Sequence, residues 1–278
     1  PGPGPAASAR RRRRGGAAMG DGAVGRIAAL ARHDARLLAR DPAPLIVRTV
    51  MPLLLMGFMQ PLFRAALRAG DLPDATGAEQ AVPGMAVMFL FFLVTVVGFG
   101  MFREHGWHTW DRLRAGPARP FELVAGRIVV PLAVALVQLA VVFAAGGLLF
   151  GLRVRGSYLG LLVVGAPLAL CVVMVGMALV ALCRTISQLS VFANLVALVL
   201  AGLGGALTPL SALPGWARPL APGVPSYWAM RGFTTVIVDG GGAGAVLLPA
   251  AVLCAFAAGL TVVTLVFFRS NHRKVSWS

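Results

Sequence analysis

The sequence predicts an all-α polytopic membrane protein with six transmembrane helices. Three features of the composition predict this class: 58% of the residues are hydrophobic, the mean hydropathy is +0.81, and only 13% are charged. A chain with so few polar side chains cannot cover a water-soluble globule of this length. A bilayer core about 30 Å thick needs roughly 20 apolar helical residues per crossing. Apolar runs of that size, free of Asp and Glu, occupy residues 45–63, 83–102, 123–150, 158–182, 188–207 and 245–268.

The distribution of basic residues predicts the orientation of these spans, because short loops rich in Lys and Arg stay on the cytoplasmic side. Most of the 25 Lys and Arg residues lie on the side that carries both termini. The exceptions are Arg64, Arg68, Arg153, Arg155, Arg218 and Arg231. We therefore expect a multi-pass protein of the plasma membrane with both termini in the cytoplasm. The formal net charge of +15 is mostly a consequence of this topology.

Three segments differ in composition and predict the domain organisation. Residues 1–22 form a low-complexity basic tail that we expect to be disordered and to lie near anionic lipid. The arginine run at 10–14 belongs to this tail, and we expect no nucleic-acid partner for it. Residues 23–268 form the membrane domain, and residues 269–278 form a cytoplasmic tail.

An amphipathic segment precedes the first span. Between residues 24 and 40, apolar side chains recur at helical spacing, while arginines occupy much of the remaining surface. Such a helix lies flat in the cytoplasmic interface rather than crossing the membrane. The sequence Asp41-Pro42-Ala43-Pro44 ends it, since proline breaks a helix from within but is tolerated at a new start. The pattern predicts an elbow, in which an interfacial helix turns sharply into the first span.

A charged segment at residues 104–117 separates the second and third spans. Within it, Trp107, Trp110 and Leu113 share one face of a short helix, which a Gly-Pro pair at 116–117 ends. A short helix with an aromatic face, held beneath the membrane, is suited to insertion into a groove on a partner protein. The alternative is an interfacial helix whose tryptophans anchor it at the level of the headgroups.

On the opposite side, the stretch between the fifth and sixth spans is too broken by proline to cross, yet too apolar for an ordinary loop. We expect short re-entrant helices that dip into the outer leaflet, because irregular backbone is tolerated there only where protein or water covers it. The side chains of this stretch either anchor it at headgroup depth or cap an exit path. As candidates for an external gate we name Pro209, Leu213, Pro214, Trp216 and Tyr227.

Few polar side chains lie inside the predicted spans. Thr95, Gln138 and Asn194 are costly in lipid unless they face protein, water or cargo. Hydrogen bonding between helices is the simpler interpretation. Met56 and Met88 either line an adaptable cavity for lipophilic cargo or fill gaps in a helix bundle. These five residues are our candidates for a translocation path.

The sequence contains no recognised motif for catalysis or metal binding. A P-loop needs Gly-x4-Gly-Lys-Ser/Thr, but the only lysine, Lys274, precedes Val275. Any ATP-driven work therefore needs ATP and Mg²⁺ on a separate subunit, and we expect no cofactor bound by this chain. No His-Glu-x-x-His or Gly-x-Ser-x-Gly motif is present. We expect Cys171, Cys183 and Cys254 to be buried apolar residues rather than a disulfide or metal framework.

The order of these features resembles the membrane subunits of ABC-2 type exporters, in particular the branch related to daunorubicin-resistance permeases. In that family, the loop after the second helix carries Glu, Gly, Leu, a small residue with Pro, and then Gly with Arg or Lys. The matching positions are Glu104, Gly106, Leu113, Gly116-Pro117 and Gly126-Arg127. The external stretch of the family is similar to Pro209-Leu210, Leu213-Pro214-Gly215-Trp216, Pro225-Ser226-Tyr227 and Met230-Arg231-Gly232. The chain departs from the family at Trp107, where Thr is frequent, and at Gly116, where a hydroxyl residue is frequent.

This resemblance covers the chain from the elbow to the sixth span, and it implies a six-helix half-transporter driven by an ATP-binding cassette ATPase subunit. The segment at 104–117 would be a coupling helix seated on that subunit. The pathway would form at an interface with a second permease copy or a sister permease. The coupling residues that the resemblance implies are Glu104, Gly106, Trp107, Trp110, Leu113, Gly116 and Pro117.

We therefore expect a permease subunit, without an ATPase site of its own, that exports lipophilic or amphipathic drug-like compounds through a lipid membrane. A lipid or a lipid-linked glycan is an alternative cargo for the same kind of exporter. An ATP-independent secondary transporter is disfavoured, because the six spans contain no Asp, Glu or His. A structural or immunity-type membrane protein without transport is a third class.

Overall fold

A computed structural model describes residues 25, 28, 31, 32, 35, 36, 40, 43–69, 72–95, 97, 98 and 120–270. Within these residues the fold is helical, with seven α-helices and no β-strand. Five of the helices are long and apolar enough to cross a membrane, over Ile46–Arg68, Ile128–Phe150, Tyr158–Leu182, Ile186–Leu203 and Ala243–Phe267. The prediction of an all-α multi-pass membrane protein is confirmed. The helices are α1 (Ala43–Arg68), α2 (Ala78–Phe92), α3 (Pro120–Phe150), α4 (Tyr158–Leu182), α5 (Ile186–Leu203), α6 (Pro225–Ile237) and α7 (Leu247–Ser270).

The predicted spans agree with these helices to different degrees. The run at 158–182 coincides with α4, whose first turn is capped by the Ser157 hydroxyl, which accepts the Leu159 N–H at 3.2 Å. The second predicted span is only partly described: α2 ends at Phe92, and residues 94, 95, 97 and 98 are helical. A sixth crossing therefore stays a prediction.

The predicted C-terminal end of the fifth span was wrong. It was expected to reach residue 207, but α5 ends at Leu203. Gly204 and Gly205 end it, and Gly205 has a φ of +82°, in the left-handed region that glycine adopts without strain. The residues after Leu203 therefore belong to the external stretch.

The chain divides into two compact units. The first comprises Pro1–Pro42 and His108–Val130, and the second comprises Ala43–Trp107 and Pro131–Ser278. In the first unit, the described residues between 25 and 40 have helical backbone, as the amphipathic pattern predicts, and their placement as an interfacial elbow stays a prediction. The contacts described below all lie within the second unit.

The connection between α1 and α2 is held by polar groups at its ends. The Glu79 carboxylate accepts hydrogen bonds from the Thr76 and Gly77 N–H groups at 2.9–3.2 Å, and the Thr76 hydroxyl accepts the Ala78 N–H at 3.2 Å. This reciprocal pairing gives partners to backbone N–H groups around Gly77, the N-cap residue of α2. From α1, the Arg64 guanidinium donates to the Thr76 carbonyl at 3.0 Å. The two helices therefore form a tight antiparallel hairpin.

Helix α2 lies at the centre of the described bundle. Nearly all its side chains are buried, from Ala78 through Phe91, apart from Glu79 and Phe89. The neighbouring helix α5 packs on α2 through a buried face with one residue per turn. Three of these residues are alanines, and small side chains let helix backbones approach closely. The residues of this α5 face are Leu189, Ala193, Ala197 and Ala201.

Helices α3, α4, α6 and α7 complete the bundle, in which α4 and α6 contact α2 and α7 packs on α4 and α6. Gly146 of α3 lies against Val82, and the rings of Phe143 and Phe233 lie 5.0 Å apart between α3 and α6. Helix α4 is the innermost of the five spanning helices and packs along α7. Gly232 of α6 fits between α4 and α7, where its neighbours are side chains of both helices.

One end of the bundle carries α6 and the connections on either side of it, and we call it the α6 end. There Gln60 Nε2 donates to the Phe150 carbonyl at 3.0 Å, and the Gly156 N–H donates to the Val236 carbonyl at 2.9 Å. The six arginines predicted to share a side all lie on elements of this end. Because short loops rich in Lys and Arg stay on the cytoplasmic side, and most basic residues lie on the opposite side, we predict that the α6 end is external. The six are Arg64, Arg68, Arg153, Arg155, Arg218 and Arg231.

Candidate functional site

The candidate coupling residues lie outside the described part of the chain. They fall between residue 98, where the description of the second span ends, and Pro120, where α3 begins. Their role as a coupling helix therefore stays a prediction. They are Glu104, Gly106, Trp107, Trp110, Leu113, Gly116 and Pro117.

The five candidates for a translocation path differ in their surroundings, and the structure does not gather them on one surface of the chain. Met56 and Met88 are buried and belong to the apolar core. Gln138 is also buried, and its Nε2 has no hydrogen-bond partner within the described residues. Thr95 is half-buried, whereas Asn194 is exposed on α5.

The exposed face of α5 is the one described spanning face that combines many large apolar side chains with a central amide. Asn194 lies midway along the helix, where it is exposed beside the stripe that packs on α2. An amide in this position is costly in lipid unless another protein surface or water reaches it. The large apolar side chains of the face are Val191, Phe192, Leu195, Leu198 and Val199.

The external stretch contains short helical turns rather than a crossing. A 3-10 helix at Leu210–Ala212 follows Pro209, and a second at Ala221–Gly223 precedes α6. Leu213 is buried, and its carbonyl accepts a hydrogen bond from Arg218 Nε at 3.0 Å. These turns agree with the expectation of short helices, while their depth in a leaflet stays a prediction.

The remaining gate candidates are more exposed. Pro214 is exposed, and Trp216 is 68% exposed. Tyr227 packs edge-on against Trp228 with ring centroids 5.4 Å apart, and the Arg231 guanidinium lies 5.6 Å from the Trp228 ring. The amphipathic helix α6 therefore shows an aromatic and cationic side at this end, a composition typical of headgroup depth.

Sequence reasoning missed the polar contacts that join α2 to the end of α5. Gln80 is buried, and its Nε2 donates to the Gly205 carbonyl at 2.8 Å. One turn later, Gly84 lies so close to the Ala206 carbonyl that a Cβ would overlap it. The Ser226 hydroxyl of α6 donates to the Leu200 carbonyl. The one signal was a lone glutamine just before an apolar run, and the predicted span began after it.

The cysteine expectation is confirmed at two of three positions. Cys171 and Cys183 are buried and form no disulfide, but Cys254 is exposed on α7, so the expectation of burial was wrong for that residue. An apolar helix gives no signal of which face packs on protein, and a small thiol is tolerated on either face. Among the described residues, no group of three or more His, Cys, Asp and Glu side chains could hold a metal ion.

Comparison with known proteins identifies the family. The sequence profile of the ABC-2 type transporter family matches residues 26–238. The chain belongs to the ABC-2 type transporter family. The match begins in the predicted elbow and includes α1 through α6 and the segment at 104–117.

The chain is also similar to the linearmycin resistance permease protein LnrN of Bacillus subtilis (strain 168). The two are 26% identical over 188 residues, which is 66% of this chain and 48% of that protein. The chain thus spans about half the length of this relative. As a member of this family, the chain contains a membrane-spanning region of the ABC-2 transporter type.

Proposed function

We propose that this ABC-2 permease is the membrane-spanning subunit of an exporter that moves lipophilic or amphipathic, drug-like compounds outward. The family match over residues 26–238 carries this proposal. Energy comes from ATP, held with Mg²⁺ by a separate nucleotide-binding subunit. The predicted spans are compatible with an apolar cargo, because their sequences contain few polar side chains.

The segment at 104–117 is the proposed seat of the ATPase. It joins α2 to α3, so a displacement imposed on it reaches two helices of the bundle directly. ATP-driven closure of two nucleotide-binding subunits would push on this segment and change the angle of α2 and α3. The aromatic face predicted from Trp107 and Trp110 suits insertion into a groove on that subunit.

The exposed face of α5 is the proposed surface toward a second permease, either another copy or a sister chain. Asn194 supports this choice, because its amide gains hydrogen-bond partners against protein or a polar pathway but not against lipid. Gly202, further along α5, has open space where a Cβ would be, so packing within this chain does not require a glycine there.

A photo-crosslinking amino acid at position 194 is expected to attach to a second permease in the assembled complex. The matched control places the same amino acid at Val262, which is 60% exposed on α7 and is expected to label lipid. Mass spectrometry of the products distinguishes a second copy from a sister chain. Equal protein crosslinking from both positions, or from neither, would remove α5 from the interface.

The cargo proposal rests on the resistance permease relative, whose name concerns linearmycin. For this chain we propose the broader class of lipophilic or amphipathic drug-like compounds. Export of a lipid or a lipid-linked glycan is compatible with the same apolar spans. Stimulation of ATP hydrolysis by linearmycin and a panel of other amphipathic compounds, compared with purified lipids, separates the two cargo classes.

The proposed function is tested by co-purifying the tagged chain with the ATPase encoded beside its gene. We expect a stable complex whose ATP hydrolysis differs from that of the free ATPase and responds to cargo. A well-folded chain in nanodiscs that neither binds the ATPase nor alters its hydrolysis would contradict the proposal. That result would favour an ATP-independent transporter or a non-transporting membrane protein.

A further inference from the structure

We propose that Gln80 is a positioning residue, through which α2 sets the conformation of the external stretch between α5 and α6 during transport. The inference rests on the proposed export function and adds a specific joint to it. The joint consists of the Gln80 side chain, the Gly205 and Ala206 backbone, and Gly84.

A buried hydrogen bond joins Gln80 of α2 to the backbone that follows α5. Gln80 is 7% exposed, and its Nε2 donates to the Gly205 carbonyl at 2.8 Å. A buried hydrogen bond of this kind is strongly favoured, because an unpaired amide or carbonyl would pay its full desolvation penalty. Gly84, on the same side of α2, lets the Ala206 carbonyl approach the helix backbone. Helix α2 therefore holds two consecutive residues that follow α5.

Gly205 and Ala206 lie at the start of the external stretch. Gly205 is in the left-handed conformation, and the Leu210 side chain lies directly against it. Leu210 begins the 3-10 helix that follows Pro209, the first of the gate candidates. A shift of Gly205 therefore moves the start of the external stretch. The Ser226 hydroxyl of α6 donates a hydrogen bond to the Leu200 carbonyl, on the preceding turn of α5. The end of α5 and the residues after it therefore accept hydrogen bonds from both α2 and α6.

The other end of α2, at Phe92, leads toward the segment at 104–117. Helical bonding continues beyond Phe92, where the Val97 N–H donates to the Leu93 carbonyl at 3.2 Å. From there the chain leads to the proposed coupling segment at 104–117. Because α2 is packed on almost every side, and packed interiors deform little, a displacement at one end is carried along the helix. Gln80 is the point at which that displacement reaches the external stretch.

Gln60 offers a matched control. Its Nε2 also donates to backbone carbonyls at the α6 end, those of Thr76 at 3.2 Å and Phe150 at 3.0 Å. These acceptors lie on the α1–α2 connection and at the end of α3. Replacing Gln60 by Met thus removes the same type of amide, with similar volume, and leaves the junction between α2 and α5 intact.

The experiment uses the full chain with its ATPase partner in nanodiscs and in transporting vesicles. The reporter is Ala212→Cys, an exposed position at the end of the first 3-10 helix, in a background with alanine at Cys171, Cys183 and Cys254. A membrane-impermeant maleimide labels this cysteine with and without ATP and vanadate. Transport and ATP hydrolysis are measured on the same preparations.

With Gln80 present, we expect ATP and vanadate to change the labelling rate of the reporter. In Gln80→Met the complex is expected to hydrolyse ATP as before, to lose the ATP response of the label, and to move about fivefold less cargo per ATP. In Gln60→Met both the response and the ratio are expected to persist, even if the unfolding temperature falls. Gln80→Asn, whose shorter amide does not reach Gly205, repeats the test if the Met variant is not recovered folded.

Three results would overturn the inference. One is a Gln80→Met complex that keeps its cargo-to-ATP ratio and labelling response. Another is an equal loss in the Gln60 and Gln80 variants, which would indicate general destabilisation. The third is a labelling rate that never depends on ATP. A chain with Gln80 that forms no complex with the ATPase would instead refute the proposed function, and the inference with it.

Discussion

Replacing Gly84 by alanine is expected to destabilise the bundle by about 2–3 kcal/mol, the upper part of the usual cost of overpacking. The added Cβ would overlap the Ala206 carbonyl oxygen. Relieving the overlap requires a backbone movement of either Ala206 or α2. Ala206 follows the left-handed Gly205, and α2 is buried in the bundle, so both movements are costly. We expect a lower unfolding temperature in detergent and a smaller monodisperse fraction by size-exclusion chromatography.

The control for this substitution is Gly202→Ala, near the end of α5. No atom lies within 4 Å of the position that its Cβ would take. Alanine is favoured over glycine in a helix by up to about 1 kcal/mol, so the isolated chain is expected to be unchanged or slightly more stable. Equal destabilisation by the two variants would show that the close approach of Gly84 to Ala206 is not rigid.

Glu104→Ala is expected to lower transport at least about tenfold while membrane insertion and expression stay normal. The physical reason is the proposed seat on the ATPase, in which we expect the Glu104 carboxylate to pair with a basic group of that subunit. Removing one partner of a buried charged contact typically costs about 2–5 kcal/mol. Transport by vesicles with equal amounts of the variant and the unaltered chain measures the effect. ATP hydrolysis by the complex shows whether the ATPase still binds.

Asp111→Ala is the matched control for Glu104→Ala. It removes a carboxylate from the same segment, at a position that the family pattern does not include. We expect transport close to that of the unaltered chain. A normally expressed Glu104→Ala protein with unchanged transport would remove Glu104 from the mechanism, and an equal loss in both variants would indicate a dependence on segment charge alone.

The candidate site was only partly predictable. Thr95, Gln138 and Asn194 stand out in the sequence because polar groups are rare in apolar spans, but their exposure differs and depends on which helix face packs on protein. Gln80 was missed because it lies just before the predicted second span. Its acceptor, the Gly205 carbonyl, lies 125 positions away, and no local pattern indicates such a pairing.

The sequence by itself determined the class, the apolar segments and the family pattern of this protein. These properties follow from local composition, since a helix can cross a bilayer only if about 20 consecutive residues are apolar. The start and end of α4 were predictable for the same reason.

Only the tertiary structure decided which apolar surfaces are buried. By composition α4 and α7 are similar spans, yet 72% of the apolar window of α4 is buried, against 28% for α7. Lipid and protein interior are both apolar, so a membrane helix carries little amphipathic signal to show which face packs inward. The close approach of Gly84 to Ala206, the Gln80 hydrogen bond and the exposed face of α5 therefore emerge only when the helices are packed together.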